Sequence, residues 1–190
     1  MTNLRYATPA VWTDTVLADF DTFLQDHAAA EKKASGMAMS MVSHYPDRAD
    51  LILAMTDLAV EELTHYREVV KLIYARGLQL HADQKDAYVV RMRQHIRHGK
   101  DAFLLDRLLT AGIIEARGAE RFGLIASALP NGQLKTFYQS ITRSEQRHKD
   151  LFVDLAEKYL PIDMVKARLD ELLDAEAAIV PDLPLRAALH

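Results

Sequence analysis

The chain has 190 residues, of which 49% are hydrophobic and 26% are charged, and its formal net charge at pH 7 is −4. These values are typical of a globular protein and exclude intrinsic disorder and a globally basic nucleic-acid-binding protein. Because the sequence has no cysteine, it also excludes disulfide frameworks, thiolate zinc sites and iron–sulfur clusters. Any metal must therefore be held by oxygen and imidazole nitrogen.

We expect a soluble, cytoplasmic protein with one domain over residues 1–190, whose helical core occupies about residues 13–160. The N-terminal segment has no apolar signal region, and no apolar run is long enough to span a bilayer. The chain has only 7 glycines and 6 prolines, which argues against an all-β fold with many turns.

Helix-breaking residues divide the chain into long helical blocks. The pattern predicts long helices over residues 13–43, 47–76, 101–129 and 132–160, followed by a shorter helix over residues 163–178. The link over residues 77–100 is predicted to contain a short helix around residues 84–98. The links inside the first and second pairs of long helices are short, so each pair should form an antiparallel hairpin.

Two hairpins joined by one long crossover are typical of ferritin-like four-helix bundles. An ordinary up-down bundle would not need such a long link. We therefore predict an all-α fold, namely a ferritin-like four-helix bundle with one long crossover and an extra C-terminal helix.

Each long block carries an apolar stripe with helical spacing, and one glutamate interrupts each stripe near its middle. In two of the stripes a histidine follows the glutamate by three residues, which places both side chains on one helix face. The interrupting residues are Glu31, Glu62, His65, Glu115, Glu145 and His148.

Four carboxylates in one apolar core would repel one another, and each would lose its hydration. Lysine and arginine are absent from these stripe positions, so a metal is the expected counter-charge. Glu31 and Glu62 are 31 positions apart, and Glu115 and Glu145 are 30 apart, which indicates one ligand-bearing hairpin used twice. The ligand set predicts a two-metal site and suits Fe(II) or Mn(II) without choosing between them.

His27 and a basic cluster allow two interpretations each. His27 lies four residues before Glu31 and is either a polar residue at the edge of the stripe, which is the favoured interpretation, or a residue that supports the metal site. The basic residues either form salt bridges on a solvated face, with Asp106 and Glu120 among the candidate partners, or bind phosphates of an RNA or another anionic substrate. The candidate RNA-binding residues are Arg91, Arg93, Arg97, Lys100, Arg117 and Arg121.

Three segments resemble a known family. Residues 106–122, DRLLTAGIIEARGAERF, resemble the third-helix signature of the tRNA 2-methylthio-N6-isopentenyladenosine hydroxylases. Residues 57–66 and 144–148 resemble the second-helix and fourth-helix motifs of that family. The resemblance extends from about Phe20 to Tyr159, and residues 106–122 are its specific part, because ferritins and rubrerythrins share the ligand pattern.

The resemblance implies a nonhaem diiron monooxygenase that uses O2 to hydroxylate the isopentenyl group of a modified adenosine beside the tRNA anticodon. In that family assignment the six residues hold two iron ions: Glu62 and Glu145 bridge them, the other two glutamates are terminal, and each histidine binds one iron. The resemblance also implies a modified tRNA anticodon loop as partner. It further implies an external reductase or electron carrier, since the chain has no flavin or dinucleotide motif.

Other functions fit the same residues. A ferritin- or rubrerythrin-type iron oxidase or storage protein would share the ligands but would take up many irons per chain. A peroxidase or catalase would turn over peroxide without a reductant, and a helical interaction module would bind no metal. The sequence leaves the oligomeric state open between a monomer and a small oligomer.

Overall fold

The computed structural model describes residues 3–190, and every regular element within that range is helical. The elements are α1 (Ala10–Ala18), α2 (Phe20–His44), α3 (Ala49–Ala75), α4 (Ala87–Arg93), α5 (Lys100–Ala128), α6 (Gln133–Tyr159), α7 (Ile162–Ile179) and a 3-10 helix (Val180–Asp182). The predicted all-α class is therefore confirmed. Over the described residues, none of the helices combines the length and apolar character needed to cross a membrane.

The chain divides into two compact units. One of them comprises residues 14–84 and 186–189 and is built on the α2–α3 hairpin. The two helices are joined by residues 45–48, so they run antiparallel. Their buried positions follow helical spacing, as in Leu24, Ala28 and Met41 of α2. The Ser35 hydroxyl donates a hydrogen bond of 2.9 Å to the Ala59 carbonyl, which links the two helices near their middle.

The second unit comprises residues 85–185 and His190, together with the described residues 3–13, and it is built on the α5–α6 hairpin. Helix α5 is buried on all its faces: between Leu104 and Ala119 no residue is exposed, and only Arg107 and Ile114 are half-buried. Helices α4 and α7 contact α5 within this unit. The prediction of one domain over residues 1–190, with a core at about 13–160, stays a prediction.

The crossover occupies residues 76–99 and contains α4. Gly77 has φ 74° just after α3, and Gly99 has φ 104° just before α5. These left-handed values favour glycine, because a side chain would be strained there. The long crossover and the two short hairpin links confirm the predicted connectivity.

Two predicted helix bounds need correction. The predicted helix over residues 13–43 is two helices, since the Asp19 side chain accepts a hydrogen bond from the Thr22 N–H and starts α2 at Phe20. The predicted crossover helix over residues 84–98 is only α4, which begins after the cap residue Asp86. The other long helices begin and end within two residues of their predicted bounds.

Candidate metal centre

Within the α2–α3 unit, Glu31, Glu62 and His65 lie together. One ligand atom from each of the three residues lies within 4.8 Å of the others. Glu31 and Glu62 are 4% and 1% exposed, and the His65 side chain is 12% exposed. His65 Nδ1 lies 3.4 Å from Glu62 Oε2 and 3.7 Å from Glu31 Oε2. Adjacent turns of α3 and the facing side of α2 thus supply a compact set of oxygen and nitrogen donors.

His27 lies next to this set. It is fully buried, and its Nε2 is 2.6 Å from Glu31 Oε1, one turn further along α2. Burial lowers the pKa of His27 to about 3, with a further lowering by His65, so the imidazole is neutral at physiological pH. The sequence had favoured the interpretation of His27 as an edge residue, and the structure instead gives it a direct contact with a predicted ligand.

Within the α5–α6 unit, Glu115, Glu145 and His148 form the corresponding set. Their ligand atoms also lie within 4.8 Å of one another, and the three residues are only 3–7% exposed. His148 Nδ1 is 3.4 Å from Glu145 Oε2, and the other ring nitrogen, Nε2, is 3.4 Å from the Ser144 hydroxyl. Each hairpin therefore carries one glutamate on its first helix and a Glu-x-x-His pair on its second.

The chemistry of these donors fits a divalent metal. Carboxylates this deeply buried are costly without a counter-charge, and each set combines two of them with one imidazole. Oxygen-rich sets with imidazole suit iron or manganese, whereas zinc prefers fewer ligands with more nitrogen or sulfur. The donor atoms of each hairpin therefore fit a divalent metal ion, and the assignment of the six residues as its ligands stays a prediction.

The residues predicted to bind RNA on the crossover and at the start of α5 are accessible, but two of them have acidic partners. Arg93 and Lys100 are exposed. Arg91 forms an ion pair of 3.2 Å with Asp182. Arg97 donates two side-chain hydrogen bonds of 2.9 Å to the buried carboxylate of Asp106, which also accepts from Arg168.

Arg117 and Arg121, also predicted to bind RNA, lie in the interior of the α5–α6 unit. Arg117 is fully buried, and its Nε donates a 2.8 Å hydrogen bond to Glu176. Arg121 is 6% exposed, and its guanidinium lies 4.9 Å from the centre of the Trp12 ring. Burial lowers the pKa of Arg121 to about 10, with a further lowering by Arg117. Side chains placed in this way offer no surface to a phosphate, so we remove both residues from the RNA-binding set.

The partner of Arg117 was missed at sequence level. Glu176 lies 59 positions away on α7, which has five acidic residues, so acidic character alone did not single out this glutamate as a buried partner. Its helical spacing from Leu172, Leu173 and Ile179, which are buried on α7, is the signal that could have predicted a buried position for Glu176.

A family model and two named relatives match this chain over most of its length. The family model described as tRNA-(MS[2]IO[6]A)-hydroxylase (MiaE) matches residues 1–190. A tRNA 2-(methylsulfanyl)-N(6)-isopentenyladenosine(37) hydroxylase of Pseudomonas putida is 34% identical over 186 residues, which cover 94% of this chain and 88% of the relative. The Salmonella typhimurium protein of the same name is 32% identical over 163 residues, covering 85% of this chain and 59% of that relative.

A solved structure has the same fold. It is described as "Protein 43 with aldehyde deformylating oxygenase activity from Synechococcus" and matches with a TM-score of 0.93 and 35% sequence identity. The match covers 98% of this chain and 94% of the other. The fold is therefore a ferritin-like four-helix bundle, as predicted. The family match over the whole chain and the identity to two named relatives show that this chain belongs to the tRNA-(MS[2]IO[6]A)-hydroxylase (MiaE) family.

Proposed function

We propose that this enzyme hydroxylates the isopentenyl group of 2-methylthio-N6-isopentenyladenosine next to the tRNA anticodon, using O2 and two iron ions. The iron ligands are the six predicted residues: Glu31, Glu62, His65, Glu115, Glu145 and His148. The observation that carries the proposal is the pair of buried donor sets, one per hairpin, in a chain of the hydroxylase family. Family membership favours iron over manganese, which the donor atoms alone do not.

The chemistry requires a metal, because no protein side chain can hydroxylate an allylic carbon. Bound iron would supply the electrons that activate O2. Each turnover would consume one O2, two external electrons and two protons, and would yield the alcohol and one water. The side chains themselves hold the metals and keep bulk water away, since five of the six ligands are buried. The two electrons must come from an external reductase or electron carrier.

The substrate base lies in a single-stranded loop, so it can be splayed out without melting a duplex. Phosphates of that loop are the expected partners of exposed basic residues on the crossover. Arg93 and Lys100, which are exposed, are the first candidates for these phosphate contacts. Arg91 and Arg97 would also contact phosphates, although each already forms an ion pair with an aspartate. A tRNA modification enzyme is expected in the cytoplasm.

The experiment is a mass-spectrometric nucleoside analysis. Iron-loaded protein is incubated with O2, a chemical reductant and tRNA that carries the isopentenyl modification. We expect the modified nucleoside to gain one oxygen atom. Glu115→Ala should abolish that gain, whereas Glu68→Ala, a change of a surface glutamate that pairs with Lys71, should retain it. If the protein holds two reduced irons and the isopentenyl nucleoside gains no oxygen atom, the tRNA assignment is overturned.

A second candidate follows from the solved relative, whose title names aldehyde deformylating oxygenase activity at 35% identity to this chain. The same iron-loaded preparation should therefore be offered a long-chain aldehyde. Formate and a hydrocarbon one carbon shorter, without any change in the tRNA, would favour this second function. An iron-storage function would instead appear as many irons bound per chain, where the hydroxylase requires two.

A further inference from the structure

The two donor sets are not supported alike. Glu31 has His27 one turn before it, and the ring nitrogen Nε2 lies 2.6 Å from the carboxylate oxygen Oε1. The residue one turn before Glu115, at the matching position of the other hairpin, is Ala111, which has no hydrogen-bonding side chain. Glu31 and Glu115 occupy equivalent places, each on the first helix of its hairpin. The residue one turn before them is a histidine in one hairpin and an alanine in the other.

The contact with His27 orients Glu31. Oxygen Oε1 points back along α2 to His27, and the other oxygen, Oε2, is 3.7 Å from His65 Nδ1. His27 is fully buried, and its ring lies 6.0 Å from the ring of Phe23, which is also buried. A side chain enclosed in this way cannot swing away, so it fixes the carboxylate that it contacts.

An ionised carboxylate accepts hydrogen bonds and cannot donate one. When Glu31 is ionised, as a metal ligand must be, the 2.6 Å contact places the proton on His27 Nε2. A charge-assisted hydrogen bond of this length constrains the acceptor strongly. The hydrogen bond thus restricts the rotation of the Glu31 side chain already in the metal-free protein. Ligands that are held in advance bind metal more tightly, and removal of such a support typically weakens binding about 10- to 100-fold.

We propose that His27 is a positioning residue that holds Glu31 for metal binding, and that this support serves only the donor set on α2 and α3. The inference rests on the proposed two-metal function. It makes the two metal positions unequal, with the Glu31 position dependent on His27 and the Glu115 position independent of it.

The test is anaerobic titration of the metal-free protein with Co(II), whose visible absorption reports its coordination. The variants are His27→Phe, which removes the N–H and keeps an aromatic ring, and His27→Gln, whose amide can still donate to Glu31. Wild type should bind two Co(II) per chain. His27→Phe should weaken one binding step about 10- to 100-fold and leave the other unchanged, and His27→Gln should restore most of the affinity.

A double-mutant cycle with Glu31→Ala separates positioning from a general loss of structure. Once Glu31 is absent, His27→Phe should have no further effect on Co(II) binding. Thermal unfolding of the metal-free variants shows whether each is folded, and His27→Leu replaces His27→Phe if the phenylalanine does not fit.

The outcomes are distinct. Wild type that binds two Co(II), with both steps unchanged in a folded His27→Phe or His27→Leu variant, would overturn the role of His27 and leave the proposed function intact. Equal weakening of both steps, or an effect that persists in the Glu31→Ala background, would also overturn it. Wild type that binds fewer than two Co(II) would overturn the metal centre itself and the role of His27 with it.

Discussion

Arg117 and Glu176 are both fully buried, and two parallel hydrogen bonds of 2.8 and 3.0 Å join the guanidinium of one to the carboxylate of the other. Glu176→Gln would remove the carboxylate charge from this pair, while the buried Arg117 would keep its ion pair with Glu120. We expect the substitution to lower the free energy of unfolding by about 1.5–3 kcal/mol. Urea denaturation measures this, and Glu171→Gln on the same helix is the control, since the Glu171 side chain is 61% exposed. Similar decreases in both variants would contradict the assignment.

Asp106 should make stability depend on pH. Burial raises the pKa of Asp106, but hydrogen bonds from Arg97 and Arg168 outweigh burial and hold the pKa below its ordinary value. Because the folded-state pKa is the lower one, the stabilisation is complete above about pH 4 and is lost as the pH falls through the folded-state pKa.

Asp106→Asn should therefore be less stable than wild type at pH 7, and the difference should shrink as the pH falls below about 4. The measurement is chemical denaturation of both proteins from pH 7 to pH 3. A difference that stays constant over this range would show that the Asp106 carboxylate is not held below its ordinary pKa.

Two glycines in helices should respond oppositely to alanine. A Cβ at Gly112 would lie 3.2 Å from the Lys149 carbonyl oxygen and 3.2 Å from Phe152 Cβ, so α5 and α6 would have to separate. We expect Gly112→Ala to destabilise by about 1–3 kcal/mol. Gly36 is exposed on α2 and has nothing within 4 Å of the added atom. Gly36→Ala should stabilise by about 0.5–1 kcal/mol, and thermal unfolding distinguishes the two directions.

The buried carboxylates should destabilise the metal-free protein relative to a variant that lacks one of their charges. Glu62 is 1% exposed and lies within the donor set of α2 and α3. Glu62→Gln removes a buried charge, so the metal-free variant should unfold at a higher temperature, with a gain of about 1 kcal/mol giving about 2–4 °C. Added Fe(II) or Co(II) should stabilise wild type more than the variant, which keeps the donor set on α5 and α6. A lower Tm for metal-free Glu62→Gln than for metal-free wild type would contradict this account.

The crossover should contribute to tRNA binding through charge. Arg93→Ala with Lys100→Ala should weaken binding and reduce the slope of log K against log salt by about 0.7–0.9 for each phosphate that the variant no longer neutralises. Filter binding over a range of salt concentrations measures the slope. Lys166→Ala, which removes an exposed charge on α7, is the control and should leave the slope unchanged. An unchanged slope in the double variant would place the RNA elsewhere.

Sequence periodicity located the long helices and the predicted ligands, because a buried glutamate in an apolar stripe is a strong local signal. Residues 13–43 were predicted as one helix since the chain has no glycine or proline between α1 and α2; the break depends on the Asp19 side chain capping α2. The spacing of His27 and Glu31 places them one helical turn apart, but that spacing alone does not show whether a hydrogen bond joins the two side chains.

The interior position of Arg117 could not be predicted for a different reason. Arginine next to predicted ligands has the same local pattern whether it faces RNA or a distant acid. Whether Arg117 lies in the interior depends on Glu176, which is far away along the chain, and on the contact between α7 and α5. Long-range pairing of this kind has no periodicity that a single sequence reveals.

The enclosure of α5 has a consequence for how relatives of this chain diverge. A helix with one solvent-facing side can accumulate polar substitutions on that side at little cost, whereas between Leu104 and Ala119 no residue of α5 is exposed. Nearly every change there must be matched by a change in a neighbouring element. This restriction predicts that sequence drift among relatives is slowest along this helix.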